Sequence, residues 1–163
     1  MVTKRLSREA GHRRKFLAVV DDTPECERAV AYAAERAQST NGGIVLLFII
    51  EPTDFQQWFG VEKIMREEAN ATASAALDTM AAKIRDKVGI EPELVVREGS
   101  PAEEIHALID DDQDIAILVL AAGQGKEGPG PLVSAVAGKG QGFSIPVTVV
   151  PHSLTDEEIE ALA

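Results

Sequence analysis

Residues 16–30 read FLAVVDDTPECERAV and join a strand pattern to a helix pattern. The first five residues are all apolar, which is typical of a strand that is covered on both faces in a parallel sheet. Cys26 and Val30 then start an apolar stripe that Ala33 and Ala37 continue at the spacing of one helix face. A buried strand followed directly by an amphipathic helix predicts an α/β fold.

Four more apolar runs follow along the chain, and helical or glycine-rich stretches separate them. Parallel neighbours need crossover connections, and these are right-handed in nearly all proteins. The alternation therefore predicts a single-domain, doubly wound, five-stranded parallel sheet. The further strands are predicted at Ile44–Ile50, Leu94–Val96, Ile115–Leu120 and Val147–Val150.

Local signals predict where the helices begin and end. Thr23 is predicted as the N-cap of the first helix and Pro24 as its first residue. The Asn-Gly-Gly sequence of residues 41–43 is expected to stop this helix. A longer second helix is predicted from about Glu62 to Val88, and residues 100–103, Ser-Pro-Ala-Glu, have the spacing of a capping box that starts a third.

The charge is unevenly distributed. The 163 residues include 16 Lys and Arg and 27 Asp and Glu, so the formal net charge is −11. Residues 1–15 hold six basic side chains and one acidic one, so the other 148 residues carry −16. A body that acidic repels nucleic-acid phosphates, which argues against a nucleic-acid partner. Only the short basic stretch suits a polyanion.

We expect three parts: a flexible basic arm over residues 1–14, a folded domain over 15–151 and an acidic C-terminal tail over 152–163. The tail is predicted to form a short helix outside the core. The one cysteine, Cys26, is expected to be a small core residue, and it excludes an intramolecular disulfide. No apolar run is long enough to span a membrane, so we expect a cytoplasmic protein without a membrane partner. The three histidines lack metal-ligand spacing, and no metal site is predicted.

Two segments are predicted at the carboxyl edge of the sheet, where doubly wound folds bind ligands. Asp21 ends the first strand, and its carboxylate suits a ribose hydroxyl or a base amine. The alternative is that Asp21 or Asp22 caps the helix that follows. Residues 121–142 contain seven of the 13 glycines, whose N–H groups can approach an anion closely. The alternative there is a surface loop that binds no ligand.

Polar residues inside this glycine-rich segment favour an anion. Ser134 adds a hydroxyl donor near the start of a predicted short helix, and Lys126 adds a cation. Together with Lys139, and against Glu127 alone, the segment carries a local charge of +1 within an acidic body. This contrast favours a phosphate-bearing ligand.

Five stretches, in order over residues 15–151, resemble the universal stress protein family. Residues 16–30 are similar to that family's first strand, Asp-containing loop and alanine-rich helix. The resemblance implies a Rossmann-like fold of the adenine nucleotide alpha hydrolase type, with strand order 3-2-1-4-5, and a role in stress-response regulation. The other four stretches are residues 46–52, 99–105, 114–120 and 145–151.

The resemblance also implies a site for an adenine nucleotide, ATP or AMP, with Mg²⁺ only as a companion of the nucleotide. By similarity, Asp21 and the backbone of Ile49 would face the nucleoside. The residues implied near the phosphates are Gly123, Gly125, Gly128 and Ser134.

The glycine-rich segment departs from the family's phosphate motif. Val133 stands at a glycine position directly before Ser134, and Pro129 and Pro131 remove N–H donors. The alternative function is therefore a dimeric interaction module of the same family that binds no nucleotide. No catalytic residue is predicted, and any ATP hydrolysis would be very slow. In either case the resemblance implies a homodimer through the strand Val147–Val150, because an uncovered edge strand invites pairing.

Overall fold

The computed structural model describes residues 3–52, 61–123, 130–137 and 142–163. Within these ranges five strands alternate with five helices. The strands are β1 (Lys15–Val20), β2 (Gly43–Ile50), β3 (Glu93–Glu98), β4 (Ile115–Ala122) and β5 (Val147–Pro151). The helices are α1 (Cys26–Ser39), α2 (Val61–Val88), α3 (Pro101–Asp111), α4 (Pro131–Ala137) and α5 (Asp156–Leu162).

The five strands are parallel and form one sheet in the order β3-β2-β1-β4-β5. This confirms the predicted fold and strand order. β1 is central, with Val20 beside Phe48 of β2 and Ala18 beside Val119 of β4. Because the winding direction reverses between β1 and β4, the carboxyl ends of these two strands flank the switch point of the sheet.

Alternate residues of β1 enter two cores, one on each face of the sheet. Phe16, Ala18 and Val20 pack with residues of α1 and α2, whereas Leu17 and Val19 pack with residues of α3. Neighbours such as Leu17 and Ala18 are therefore both fully buried. This double coverage explains why the strand is continuously apolar.

α1 begins at Cys26, two residues later than predicted. Glu25 stands at its N-cap and makes no side-chain hydrogen bond there. The predicted N-cap, Thr23, is engaged elsewhere, since its N–H donates to Oδ1 of Asp21 at 2.9 Å. The chain therefore makes a further turn around Pro24 before the helix starts.

The other predicted helix ends agree with the structure, with one exception. Asn41 adopts φ 54° after α1, and the N–H of Gly42 donates to the carbonyl oxygen of Ala37 at 2.8 Å, so the predicted stop is confirmed. α2 has the predicted bounds within one residue. α3 follows Ser100 as expected, but the Ser100 side chain makes no cap hydrogen bond. The prediction of a capping box is therefore wrong.

The acidic tail helix α5 packs on α1, which corrects the expectation that it lies outside the core. Ile159 is 0% exposed and anchors it. Arg28 of α1 pairs with Asp156 at 2.8 Å and donates to the carbonyl oxygen of Leu154 at 3.0 Å. The hydrogen bond from the Arg28 guanidinium lowers the pKa of the Asp156 carboxyl.

Residues 3–14, predicted as a flexible arm, lie against the turn between α3 and β4. The N–H of Leu6 donates to the carbonyl oxygen of Gln113 at 2.9 Å. The Arg5 guanidinium donates to the carbonyl oxygen of Ile115, the first residue of β4, at 3.0 Å. The arm therefore holds the amino ends of the strands, opposite to the edge where ligands bind in this fold.

Candidate functional site

A cleft of about 400 Å³ opens where β1 and β2 end, between the first turns of α3 and α4. Its volume lies in the range of small-molecule sites. It also occupies the carboxyl edge of the sheet, beside the switch point. The cleft is lined by Val19, Val20, Asp21, Asp22, Ile49, Glu51, Ser100, Pro101, Ala102, Pro131 and Leu132.

Asp21 follows β1 directly and places an exposed carboxylate at the cleft. Its Oδ1 accepts hydrogen bonds from the N–H and the hydroxyl of Thr23, which fixes the side chain in an Asx turn. The thiol of Cys26 donates to the backbone carbonyl oxygen of Asp21 at 3.5 Å. The alternative that Asp21 or Asp22 caps α1 is wrong, because Glu25 occupies the N-cap.

The carboxyl ends of β2 and β3 are joined beside the cleft. Ile49 is half-buried near the end of β2, and the carbonyl oxygen of the next residue, Ile50, accepts the N–H of Gly99 at 2.9 Å. Gly99 adopts φ 153°, and a Cβ there would lie 2.8 Å from the carboxyl oxygen Oε1 of Glu104. This glycine therefore turns the chain out of β3 and brings the start of α3 to the cleft.

α4 forms the facing wall. Pro131 and Leu132 line the cleft, and Leu132 and Val133 pack on the core beneath. The N–H of Ser134 donates to the carbonyl oxygen of Gly130 at 2.9 Å, so this N–H is used by the first turn of α4. The Ser134 side chain is exposed, and it is not part of the cleft lining that the structure describes.

A narrower cavity of about 90 Å³ adjoins the cleft and shares Val19, Asp21, Pro131 and Leu132 with it. Cys26 also lines this cavity. The side chain is only 5% exposed, and burial raises the pKa of its thiol to about 11. The thiol is therefore neutral at pH 7, as expected of a small core residue.

The structure brings two of the predicted site residues, Asp21 and Ile49, into one cleft. Gly123 follows β4, and neither it nor Ser134 lines the cleft within the described ranges. The remaining predicted residues, Gly125, Gly128, Lys126 and Lys139, lie outside the described residues.

Sequence reasoning did not assign the wall formed by residues 100–102 to the site. A signal was present, because the Gly99-Ser100-Pro101 turn directly follows the third predicted strand, and the ends of parallel strands meet at one edge. Glu51 and Leu132 were also missed. Neither position has a local pattern that separates a cleft wall from an ordinary turn or helix start.

The part of the cleft that the structure describes is acidic. Asp21, Asp22 and Glu51 contribute three exposed carboxylates, and no Lys, Arg or His is present among the other described lining residues. The described residues contain no group of three or more side chains arranged to hold a metal ion. None of the described helices is long and apolar enough to cross a membrane.

A model of the universal stress protein family matches residues 12–151. The chain belongs to this family. The match covers every strand of the sheet and each segment that lines the cleft. A search of curated protein sequences finds no match.

Solved structures of universal stress proteins share the fold at low sequence identity. UspA from Lactobacillus plantarum is 16% identical, with a TM-score of 0.70 over 84% of this chain and 97% of that chain. A universal stress protein from Arabidopsis thaliana with AMP bound is 19% identical, with a TM-score of 0.60 over 85% of this chain and 91% of that one. One from Archaeoglobus fulgidus in complex with dAMP is 22% identical, with a TM-score of 0.57 over 84% and 97%.

Proposed function

We propose that this universal stress family protein is a stress-response regulator that binds an adenine nucleotide, ATP or AMP, in the cleft at the carboxyl ends of β1 and β2, next to the switch point between β1 and β4. One observation carries the proposal: Asp21 and Ile49 line the same cleft of about 400 Å³, and these are the two residues that the family resemblance assigns to the nucleoside. The relatives crystallised with AMP and dAMP support this ligand class.

The cleft has the chemistry that an adenine nucleoside needs. Val19, Ile49 and Leu132 supply apolar surface for a flat ring. Asp21 supplies a carboxylate acceptor for a ribose hydroxyl or a base amine, and its Asx turn holds that carboxylate in place before a ligand arrives. The proposed phosphate contacts remain Gly123, Gly125, Gly128 and Ser134, with Mg²⁺ bound only together with the nucleotide.

Mass spectrometry of the freshly purified, denatured protein tests for a co-purified nucleotide, and titration calorimetry with AMP and ATP measures affinity. Asp21→Asn keeps the acceptor for the Thr23 turn but removes the charge. Because a charge-assisted hydrogen bond contributes roughly 1.5–3 kcal/mol, we expect this variant to bind AMP about 10- to 100-fold more weakly. Asp78→Asn is the matched control, since Asp78 is exposed on α2 and does not line the cleft.

The outcomes separate a wrong ligand from a wrong site. The absence of both a co-purified nucleotide and any heat of binding at millimolar ligand would reject nucleotide binding. The family's interaction-module alternative would then stand. If AMP binds but Asp21→Asn and Ser134→Ala both leave its affinity unchanged, the ligand is right and its site lies elsewhere.

We also propose that the protein forms a homodimer in which two copies pair through the outer edge of β5. Among the described strands, β5 pairs only with β4, and Val149 on it is 39% exposed. Val149→Lys should yield a monomer in sedimentation, because a buried lysine opposes strand pairing. Val96→Lys is a matched control on the opposite edge strand, where Val96 is 38% exposed. A monomeric wild-type protein at micromolar concentrations would contradict the dimer.

A further inference from the structure

Carboxylates dominate the charge of the cleft in which the nucleotide is proposed to bind. Asp21, Asp22 and Glu51 line the cleft and are exposed, and Glu25 lines the adjoining narrow cavity. The lining of both cavities, over the residues described, includes no Lys, Arg or His. An incoming anion therefore meets negatively charged side chains in the described part of this site.

Arginines of the neighbouring elements are engaged with carboxylates. Arg28 on α1 pairs with Asp156 at 2.8 Å. Two further pairs are Arg66 with Glu98 at 3.2 Å and Arg97 with Asp111 at 2.9 Å. Each of these guanidinium groups therefore already pairs with a carboxylate that does not line the cleft.

The sequence of the glycine-rich segment offers little compensation. Residues 121–142 carry a net charge of only +1, from Lys126 and Lys139 against Glu127. The cleft alone contributes three carboxylates. Two of these, Asp22 and Glu51, make no side-chain hydrogen bond or ion pair with the described residues.

We propose that the three cleft carboxylates of Asp21, Asp22 and Glu51, here called the acidic wall, set the ligand preference of the site. They select adenine ligands of low charge, a nucleoside or a nucleoside monophosphate, over the metal-free triphosphate. The inference rests on the nucleotide-binding function proposed above. A single phosphate ester carries about −1.5 to −2 at pH 7, and each further phosphate adds negative charge. Repulsion from Asp22 and Glu51 therefore grows with the number of phosphates, and a divalent cation bound to the triphosphate reduces it.

Calorimetric titration of the full chain with adenosine, AMP, ATP plus chelator, and ATP plus Mg²⁺ tests this order. We expect metal-free ATP to bind most weakly and Mg²⁺ to restore its binding. Raising the KCl concentration from about 0.01 M to about 0.15 M shortens the Debye length from about 30 Å to about 8 Å. Because salt screens repulsion, the affinity for metal-free ATP should rise with salt, whereas the adenosine affinity should stay nearly constant.

Asp22→Asn and Glu51→Gln test the wall directly, and neither disturbs the Asx turn of Asp21. Each should strengthen binding of metal-free ATP by about three- to tenfold and strengthen binding of adenosine less. Asp78→Asn on α2 removes the same charge away from the cleft and should change neither affinity.

Two results would overturn the inference, and they are distinguishable. If metal-free ATP binds more tightly than adenosine, weakens with salt and ignores both substitutions, the wall does not select ligands, although the nucleotide-binding proposal survives. If no adenine ligand binds under any condition, the nucleotide-binding proposal itself fails, and the selectivity proposal fails with it.

Discussion

The backbone N–H of Gly99 donates a 2.9 Å hydrogen bond to the carbonyl oxygen of Ile50, and this bond joins the ends of β2 and β3 beside the cleft. Gly99 makes it at φ 153°, where a Cβ would lie 2.8 Å from a carboxyl oxygen of Glu104. A small residue at this turn thus couples the central sheet to the start of α3. The wall formed by residues 100–102 depends on it.

Replacement of Gly99 tests this coupling. Gly99→Ala should lower the free energy of unfolding by about 1–3 kcal/mol, because it adds both backbone strain and a steric conflict. Gly89→Ala is the control: Gly89 also has a positive φ, 72°, but no atom lies within 4 Å of the added Cβ. Urea unfolding of both variants measures the difference. Equal losses would show that the contact with Glu104 has no cost of its own.

The N-terminal arm gives a second prediction, which concerns stability. Nη1 of Arg5 donates to the carbonyl oxygens of Asp112 at 3.2 Å and Ile115 at 3.0 Å. Nη2 of the same guanidinium is buried and lacks a hydrogen-bond partner among the described residues. Arg5→Ala removes the two hydrogen bonds of Nη1, whereas loss of the unpaired Nη2 offsets part of that cost, so we expect the free energy of unfolding to fall by about 1 kcal/mol. Arg8→Ala, at an exposed position of the same arm, should change it little, and indistinguishable urea midpoints would contradict a structural role for Arg5.

The sequence predicted the sheet well because continuous apolar runs report burial on both faces, as they do for Phe16–Val20. It also predicted that Asp21 lies at the ligand edge, since that residue directly follows a buried strand. It placed the start of α1 too early because Asp21, Asp22 and Thr23 suit either a helix N-cap or an Asx turn, and the pattern does not tell which of the two forms. The arm was expected to be flexible because backbone hydrogen bonds such as that of Leu6 leave no mark in hydropathy.

The buried face of α5 shows why a short acidic helix is easily misjudged. Ile159 is 0% exposed although its neighbours are acidic, and one apolar residue forms no periodic stripe. Ile159→Ala should lower the free energy of unfolding by about 2–5 kcal/mol, through lost burial and a cavity against α1. Leu162→Ala on the same helix is the control, because Leu162 is 63% exposed. If both variants lose the same small amount of stability, α5 is not packed on α1 in solution.

Cys26 gives a prediction for the dependence of stability on pH. Burial raises the pKa of its thiol from 9.0 to about 11, so the folded protein keeps the proton more tightly than the unfolded chain does. The resulting stability is fully present below pH 9.0 and is lost as the pH rises through about 11, and in full it amounts to about 3 kcal/mol. Cys26→Ala removes this titrating group. The free energy of unfolding is measured in urea at pH 7, 9 and 10.5, and each protein is compared with its own value at pH 7. On this scale the wild type should lose more stability with rising pH than the variant. Parallel pH profiles would mean that the thiol ionises as easily in the folded protein as in the unfolded chain, which its position between Asp21 and the core does not allow.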